Sequence, residues 1–372
     1  VDDETVEIKL TRPTGYFGTL AAQTNIADRD TLDQAEDGVL VGTGPYKFEN
    51  FDPNRGFDLV ANEDYHDGRP RLDKIEFTLF ADAAAAGLAL ETGDLHWSVV
   101  GVGGPENEAR ILQSADHYGV IGTGQGGRVF RMRADLAPTN DKRVRQALTM
   151  LVDRARITEE FAGTFDVAGV LPWQPSSAAY NAEMDKPNFD PTEAAKLFSA
   201  AGISGATLKA DILPERLDAP ALAQLLQQEL AAMDITLEIT PREYTEMITL
   251  QTTGTFEHMI IGFGNWIKSG DPAVTVLFSD SYDGRMNAPS ETDVALRERP
   301  GIKEEVEWLD MIEAAKNGEV EDWDAWNAKY LEVAWSTVLF RQYAAAFYTN
   351  DYKHPDGFDA DGRFYANTMG IA

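Results

Sequence analysis

The chain has 372 residues, 25% charged and 43% hydrophobic, with 62 acidic against 32 basic side chains and a net charge of −30 at pH 7. This is the composition of a folded chain of about two domains, and its negative field argues against a nucleic-acid partner. It holds no cysteine, which excludes disulfides and thiolate chemistry, and no apolar run is long enough to cross a bilayer.

Residue 1 is Val, and no leader pattern follows it. Val6, Ile8 and Leu10 alternate with Glu7 and Lys9, the period of a half-buried strand. A chain that opens in a strand is expected to have been processed or to lack its front. Residues 42–80 are turn-rich: Tyr46, Phe48 and Phe51 lead through Asp52–Gly56 to Phe57, Leu59 and Val60, which predicts a hairpin. Ile75, Phe77 and Leu79 predict another strand. The Ala/Leu-rich stretch 82–92 predicts a helix closed by Gly93, with a strand near Leu95, so 74–100 is read as a β-α-β unit.

Further on, Val144, Leu148, Leu151 and Val152 fall at helical spacing behind a cap at Asn140 or Asp141. A loop rich in Pro, Ser and Asn spans 171–191, and Asp190-Pro191 opens a helix that ends near Gly202. Residues 207–263 are the clearest stretch. Three strands, around Leu208–Ile212, Ile235–Ile239 and Met259–Phe263, alternate with helices carrying Leu222–Met233 and 243–252. Short links between such elements imply a parallel, doubly wound sheet, with ligands beyond the carboxyl ends of its strands. That places attention on residues 264–272. Helices are expected at 303–316 and 322–338, the second with Trp323, Trp326, Tyr330 and Val333 on a core-facing stripe.

The acids are spread along the chain and form a solvated face. That face is read either as ordinary solubility or as salt adaptation, in which salt screens self-repulsion. No two of the five histidines stand at a metal-ligand spacing on a helix, and neither a G-x-S-x-G elbow nor a P-loop occurs. The glycines of 122–127 read as a turn. With 62 carboxylates no pair is singled out as a glycosidase dyad. The residues by themselves support neither an enzyme nor a cofactor.

A series of segments nevertheless resembles the family 5 solute-binding proteins of ABC importers, the peptide- and oligopeptide-binding group. They are Val41–Phe48 (V-G-T-G-P-Y-K-F), Leu59–Tyr65, Gly68–Ile75 (with P-R-L-D-K-I), Leu90–Leu95, Asp141–Leu148 (D-K-R-V-R-Q-A-L) followed by Asp153-Arg154, Asp190–Ala194, Ala200–Gly202 and Asp271-Pro272. The resemblance implies an α/β, two-lobed periplasmic-binding-protein-like fold of class II, its lobes joined by a two-strand hinge. Lobe I is expected at 1–129 plus 348–372, with an N-terminal portion missing, and lobe II at 130–347. It implies capture of a peptide or peptide-like solute between the lobes by a monomer on the periplasmic or extracellular side, with delivery to permease and ATPase subunits and no cofactor. An oligosaccharide, opine, glutathione-like solute or nickel chelate is the alternative cargo, and a carboxylate-based hydrolase the distant one.

The ligand-contacting candidates follow from position. Trp266 lies in the loop beyond the third strand and is either a ligand contact or a buried structural Trp. Asn265 is read as a ligand contact or as turn chemistry, and Asp271, before Pro272, as a helix cap. Lys268 stands where peptide-binding members often carry an Asp for the ligand's α-amine, which favours an anionic, N-blocked or carbohydrate-like solute. Arg131 and Arg133 share a strand face and are read as carboxylate ligands or as partners of local acids. Trp173, in the loop 170–180, is read as lining the pocket or as packing beneath that loop, and Trp97 and Tyr343 complete the set, with Arg341 a lesser candidate.

Overall fold

The computed structural model describes residues 5–10, 17–18, 21, 24, 26–37, 41–98, 105–114, 116–121, 126–161, 166–214, 218–265, 270–276, 297–342, 345–353 and 370–371. In chain order the elements are β1 (Tyr46–Asp52), β2 (Gly56–Ala61), β3 (Lys74–Thr78), α1 (Ala83–Thr92), β4 (Trp97–Ser98), α2 (Pro105–Gln113), β5 (His117–Ile121) and β6 (Gly126–Met132). Then come α3 (Lys142–Met150), α4 (Arg154–Phe161), β7 (Val167–Ala168), α5 (Pro191–Ala201), β8 (Thr207–Ile212), α6 (Asp218–Ala231), β9 (Thr236–Pro241), α7 (Tyr244–Thr253) and β10 (Met259–Asn265). The chain closes with α8 (Val306–Asn317), α9 (Trp323–Val333), β11 (Ser336–Gln342), β12 (Ala345–Thr349), β13 (Tyr352–Lys353) and β14 (Gly370–Ile371). Among the described residues no helix is long and apolar enough to cross a membrane. The chain divides into two compact units: 1–19, 126–162 and 166–342 form one, and 20–125, 163–165 and 343–372 the other.

In the larger unit six strands lie in the order β7-β11-β6-β10-β8-β9. β8 pairs in parallel with β9 and with β10, as the short strand-helix links dictate. The sheet is mixed, not parallel throughout, because β6 runs antiparallel to both β10 and β11. Both faces of β10 are covered, which accounts for its continuous apolar run. Met259 and Ile261 join a core with Phe130, Leu208, Leu222, Leu226 and Leu230, while Ile260 joins Leu213, Met247 and Phe256. The expected caps hold the helices: the Asp141 side chain accepts from the Arg143 N–H, Asp190 from the Glu193 N–H, and Gly202 closes α5 in the left-handed region.

Gly262 breaks the β10 ladder. Its φ is +75°, and a Cβ there would lie 2.6 Å from the Ala219 Cβ of α6. The β6–β10 register shifts at this point, between Ile261 and Phe263, so the glycine makes a bulge just before the strand's carboxyl end.

The tryptophan stripe packs inward as expected. Trp308, Trp326 and Tyr330 form a cluster in which the Trp308 and Trp326 centroids are 4.7 Å apart. The expected helix over 322–338 ends at Val333, where Ala334 turns left-handed and β11 begins at Ser336. The apolar run continues across the boundary, but Ser336–Phe340 belongs to the sheet and pairs with β6.

In the smaller unit β1, β2 and β3 form an antiparallel meander whose aromatic ladder stacks Phe57 on Phe77 at 4.4 Å. This replaces the expected β-α-β unit: β3 completes the meander, and β4 pairs instead with β12 in the sheet β4-β12-β5. Helices α1 and α2 supply Leu90 and Ile111 to a small core with Phe347. The alternating residues Val6, Ile8 and Leu10 are exposed and outside any described strand. Alternation marks a face, but a strand also needs a neighbour to satisfy its N–H and C=O groups.

Candidate ligand-binding site

The three parallel strands β8, β9 and β10 point the same way, so Ile212, Pro241 and Asn265 mark one edge of the sheet. Two helices, α6 and α7, start just beyond the first two, and residues 272–276 are helical beyond the third. Their amino ends gather N–H groups and partial positive charge at this edge. Asp271 caps the last of them, its Oδ1 accepting from the Ala273 N–H at 2.9 Å, as its place before Pro272 suggested. Asn265, opposite Gly127, delivers the chain into the loop. Trp266, Lys268 and Tyr343 lie outside the described residues.

Sequence reasoning passed over two features of this edge. Arg242 follows β9 and donates to Asp211 of β8 and to Glu246 of α7, each at 2.7 Å, and the Asp211 carboxylate raises its pKa above the ordinary guanidinium value. Gln174 is 2% exposed, and neither atom of its amide has a hydrogen-bond partner. Its turn abuts the loop, since a Cβ on Gly270 would meet Ser176 Oγ at 3.6 Å. An i, i+4 helix pair and its strand acid carry a faint periodic signal, but a lone Gln before a Pro carries none.

Arg133 pairs with a local acid, the second of the two readings its sequence position allowed. It sits just past the end of β6, beside the start of β10, because Met132 pairs with Met259 while Gly127 pairs with Asn265. Six residues of strand, roughly 20 Å, separate it from the carboxyl edge. Its guanidinium is also committed: it grips Asp135 through two bonds of 2.6 and 3.0 Å and donates to the carbonyls of Gly254 and Phe256 at 2.8 and 2.7 Å. Asp135 is shared with Arg299 at 2.9 Å. Arg133 therefore locks the α7–β10 turn onto β6. Arg131, 1% exposed, is the last residue but one of β6 and lies between Ile260 and Ser336.

Trp173 is likewise a core residue. It is 0% exposed, packs on Trp323 and Trp326 at 5.3 and 5.0 Å, and donates from Nε1 to Asn327 Oδ1 at 2.5 Å. Arg341 pairs with Asp185 at 2.5 Å, and Asp185 also accepts the Val170 and Leu171 N–H groups, so this pair fastens the loop that Trp173 anchors. Trp97, in the smaller unit, stacks on Tyr348 at 5.2 Å. The larger unit thus brings Ser176, two residues after Gln174, beside Gly270, and separates Arg133 from Asn265 along β6 and β10. Among the described residues no group of acids and histidines is placed to hold a metal.

Residues 1–285 match the profile of the bacterial extracellular solute-binding proteins, family 5 (middle). The chain belongs to this family. The oligopeptide-binding protein AppA of Bacillus subtilis (strain 168) is 31% identical over 163 residues, 41% of this chain and 28% of AppA. The nickel-binding periplasmic protein of Escherichia coli (strain K12) is 23% identical over 320 residues, 81% of this chain and 58% of that protein. The family 5 chain thus matches less than two thirds of the length of either curated relative. The solved structure of B. subtilis AppA in complex with a nonapeptide superposes with a TM-score of 0.73 at 19% identity, covering 98% of this chain and 75% of AppA. The two-lobed α/β periplasmic-binding fold expected from the motifs is the fold of this family 5 chain.

Proposed function

We propose that this chain is the solute-capturing part of an ABC importer's binding protein, taking up a peptide or peptide-like solute outside the cytoplasmic membrane for permease and ATPase subunits. The observation that carries the reading is the family match over residues 1–285. The carboxyl edge of the sheet supports it, because helix amino ends and a buried, unsatisfied Gln174 amide suit the backbone carbonyls of an extended solute. Trp266, Asn265, Lys268, Trp97 and Tyr343 are assigned to solute contact, with Gln174 added, while Arg131, buried in the sheet far from the carboxyl edge, is set aside. Arg133 and Trp173 are structural. The solute is held and released with no bond made or broken.

A second reading, a non-peptide solute, is favoured by Lys268 where an acid would pair with a peptide's amine, and by the kinship to a nickel-binding protein. Calorimetric titration with free and N-acetylated di- to nonapeptides, opines and nickel chelates separates the two. Saturable peptide binding, weakened about tenfold or more in Trp266→Ala without change in circular dichroism, is the expected result. Binding of no peptide by the folded protein overturns the peptide reading, and hydrolysis of a glycoside panel overturns the binding-protein reading altogether.

A further inference from the structure

Away from the carboxyl edge, the larger unit holds a second concavity of about 200 Å³. It is bounded by the end of α3, the start of α4, residues 184–188, the end of α9 and the start of β11. Two cations line it, Arg154 and Lys186, and no carboxylate does, in a chain of net charge −30.

Arg154 is 2% exposed. It donates to the carbonyls of Val338 at 2.8 Å, Thr149 at 3.2 Å and Val152 at 3.4 Å, and to Thr337 Oγ1 at 2.8 Å. All four acceptors are neutral. Three other arginines differ: Arg145 is paired with Glu305, Arg341 with Asp185 and Arg133 with Asp135. Asp185, whose field reaches Arg154, is committed to Arg341 and two backbone N–H groups. Burial lowers the Arg154 pKa to about 10, which still leaves it charged at neutral pH. A desolvated cation without a counter-charge is stabilised by an anion that enters beside it.

The remaining walls define the anion. Lys186 stands at the mouth with its side chain 64% exposed, held only by a surface pair with Glu183. Met150, Val170 and Met184 give an apolar flank. A dry cavity of about 150 Å³ admits a benzene ring, so this one suits a molecule of that size with one charged end.

We propose that this pocket is a second ligand site, separate from the solute site, that takes a small organic carboxylate with its head on the Arg154–Lys186 side and its tail against Met150, Val170 and Met184. The proposal does not depend on what the solute is.

Calorimetry on the whole protein tests it with sodium acetate, butyrate and benzoate at constant ionic strength, and with benzamide as the uncharged control. Butyrate or benzoate is expected to bind saturably at one site, and benzamide not. Lys186→Glu reverses an exposed charge without touching the core and is expected to weaken binding about tenfold or more. Arg154→Met, its fold verified by circular dichroism, is expected to abolish it, and Trp266→Ala to leave it unchanged. The proposal is overturned by the absence of saturable carboxylate binding, by equal binding of benzamide, by an affinity indifferent to Lys186→Glu, or by loss in Trp266→Ala.

Discussion

Gly262→Ala tests the bulge that aims the candidate loop. The substitution meets two obstacles. The residue's φ of +75° is a left-handed conformation, which costs an L residue about 1–2 kcal/mol. The new Cβ would also lie 2.6 Å from the Ala219 Cβ and 2.9 Å from its Cα, and relieving such overpacking costs about 1–3 kcal/mol. Together these predict about 2–5 kcal/mol of destabilisation. With a urea m-value near the upper end for small domains, about 3 kcal/mol/M, the unfolding midpoint falls by roughly 1–2 M. Tryptophan fluorescence follows the transition, and solute affinity is measured below it. Affinity is expected to fall as well, because Asn265 and the loop follow three residues after the bulge. Ala219→Gly in the same chain should recover part of the loss, the part due to the Cβ–Cβ collision, and a double-mutant cycle isolates it. An unchanged midpoint in Gly262→Ala would refute both the steric argument and the bulge's role.

Arg133→Ala should destabilise the larger unit by about 3–5 kcal/mol, because it strips two hydrogen bonds from the buried Asp135 carboxylate and two from main-chain carbonyls. Affinity of the folded fraction should be unchanged, and a selective loss for anionic solutes at full stability would restore Arg133 as a ligand. His258 predicts a pH effect. Its Nδ1 accepts from the Lys209 N–H at 3.0 Å, its Nε2 faces the Ala137 carbonyl at 3.1 Å, and burial lowers its pKa. A lowered folded pKa means the unfolded chain takes the proton first, so stability is lost as pH falls below about 6.5 through the folded value. The urea midpoint of the wild type should therefore drop more between pH 7 and pH 5 than that of His258→Gln. Equal drops would remove His258 as the cause.

Local chemistry was the legible part of this fold. The Asp52–Gly56 hairpin, the Asp141 and Asp190 caps and the three parallel strands of 207–265 each follow from side chains whose effect acts within a few residues. Pairing partners were less legible. Ile75 and Phe77 announce an extended segment, but not that β3 joins β2 while β4 joins β12. The end of α9 was hidden because Trp335, Val338 and Leu339 carry the apolar run on into a buried strand. The site divides in the same way. Strand order pointed to residues 264–272, whereas the place of Arg133 at the far end of β6 was hidden because strand alternation gives a face and not a distance along it. Two of its four hydrogen bonds go to main-chain carbonyls 121 and 123 residues away, which no motif records. Gln174 was missed for a related reason: an unsatisfied amide exists only once the surrounding core has closed.

The order β7-β11-β6-β10-β8-β9 has a consequence for how the chain is made. β11 lies between β7 and β6, and it is the last strand of that sheet to be synthesised. Until residue 342 emerges, β6 and β7 have no neighbour to bridge them, and Arg154 has no Val338 carbonyl to meet. The Arg145 guanidinium waits over a separation of 160 residues for Glu305. At about 5–20 residues per second, the stretch from β6 to the end of β11 takes tens of seconds to synthesise. The six-stranded sheet is therefore completed only by its last-made strand, and the neutral nest around Arg154 closes with it.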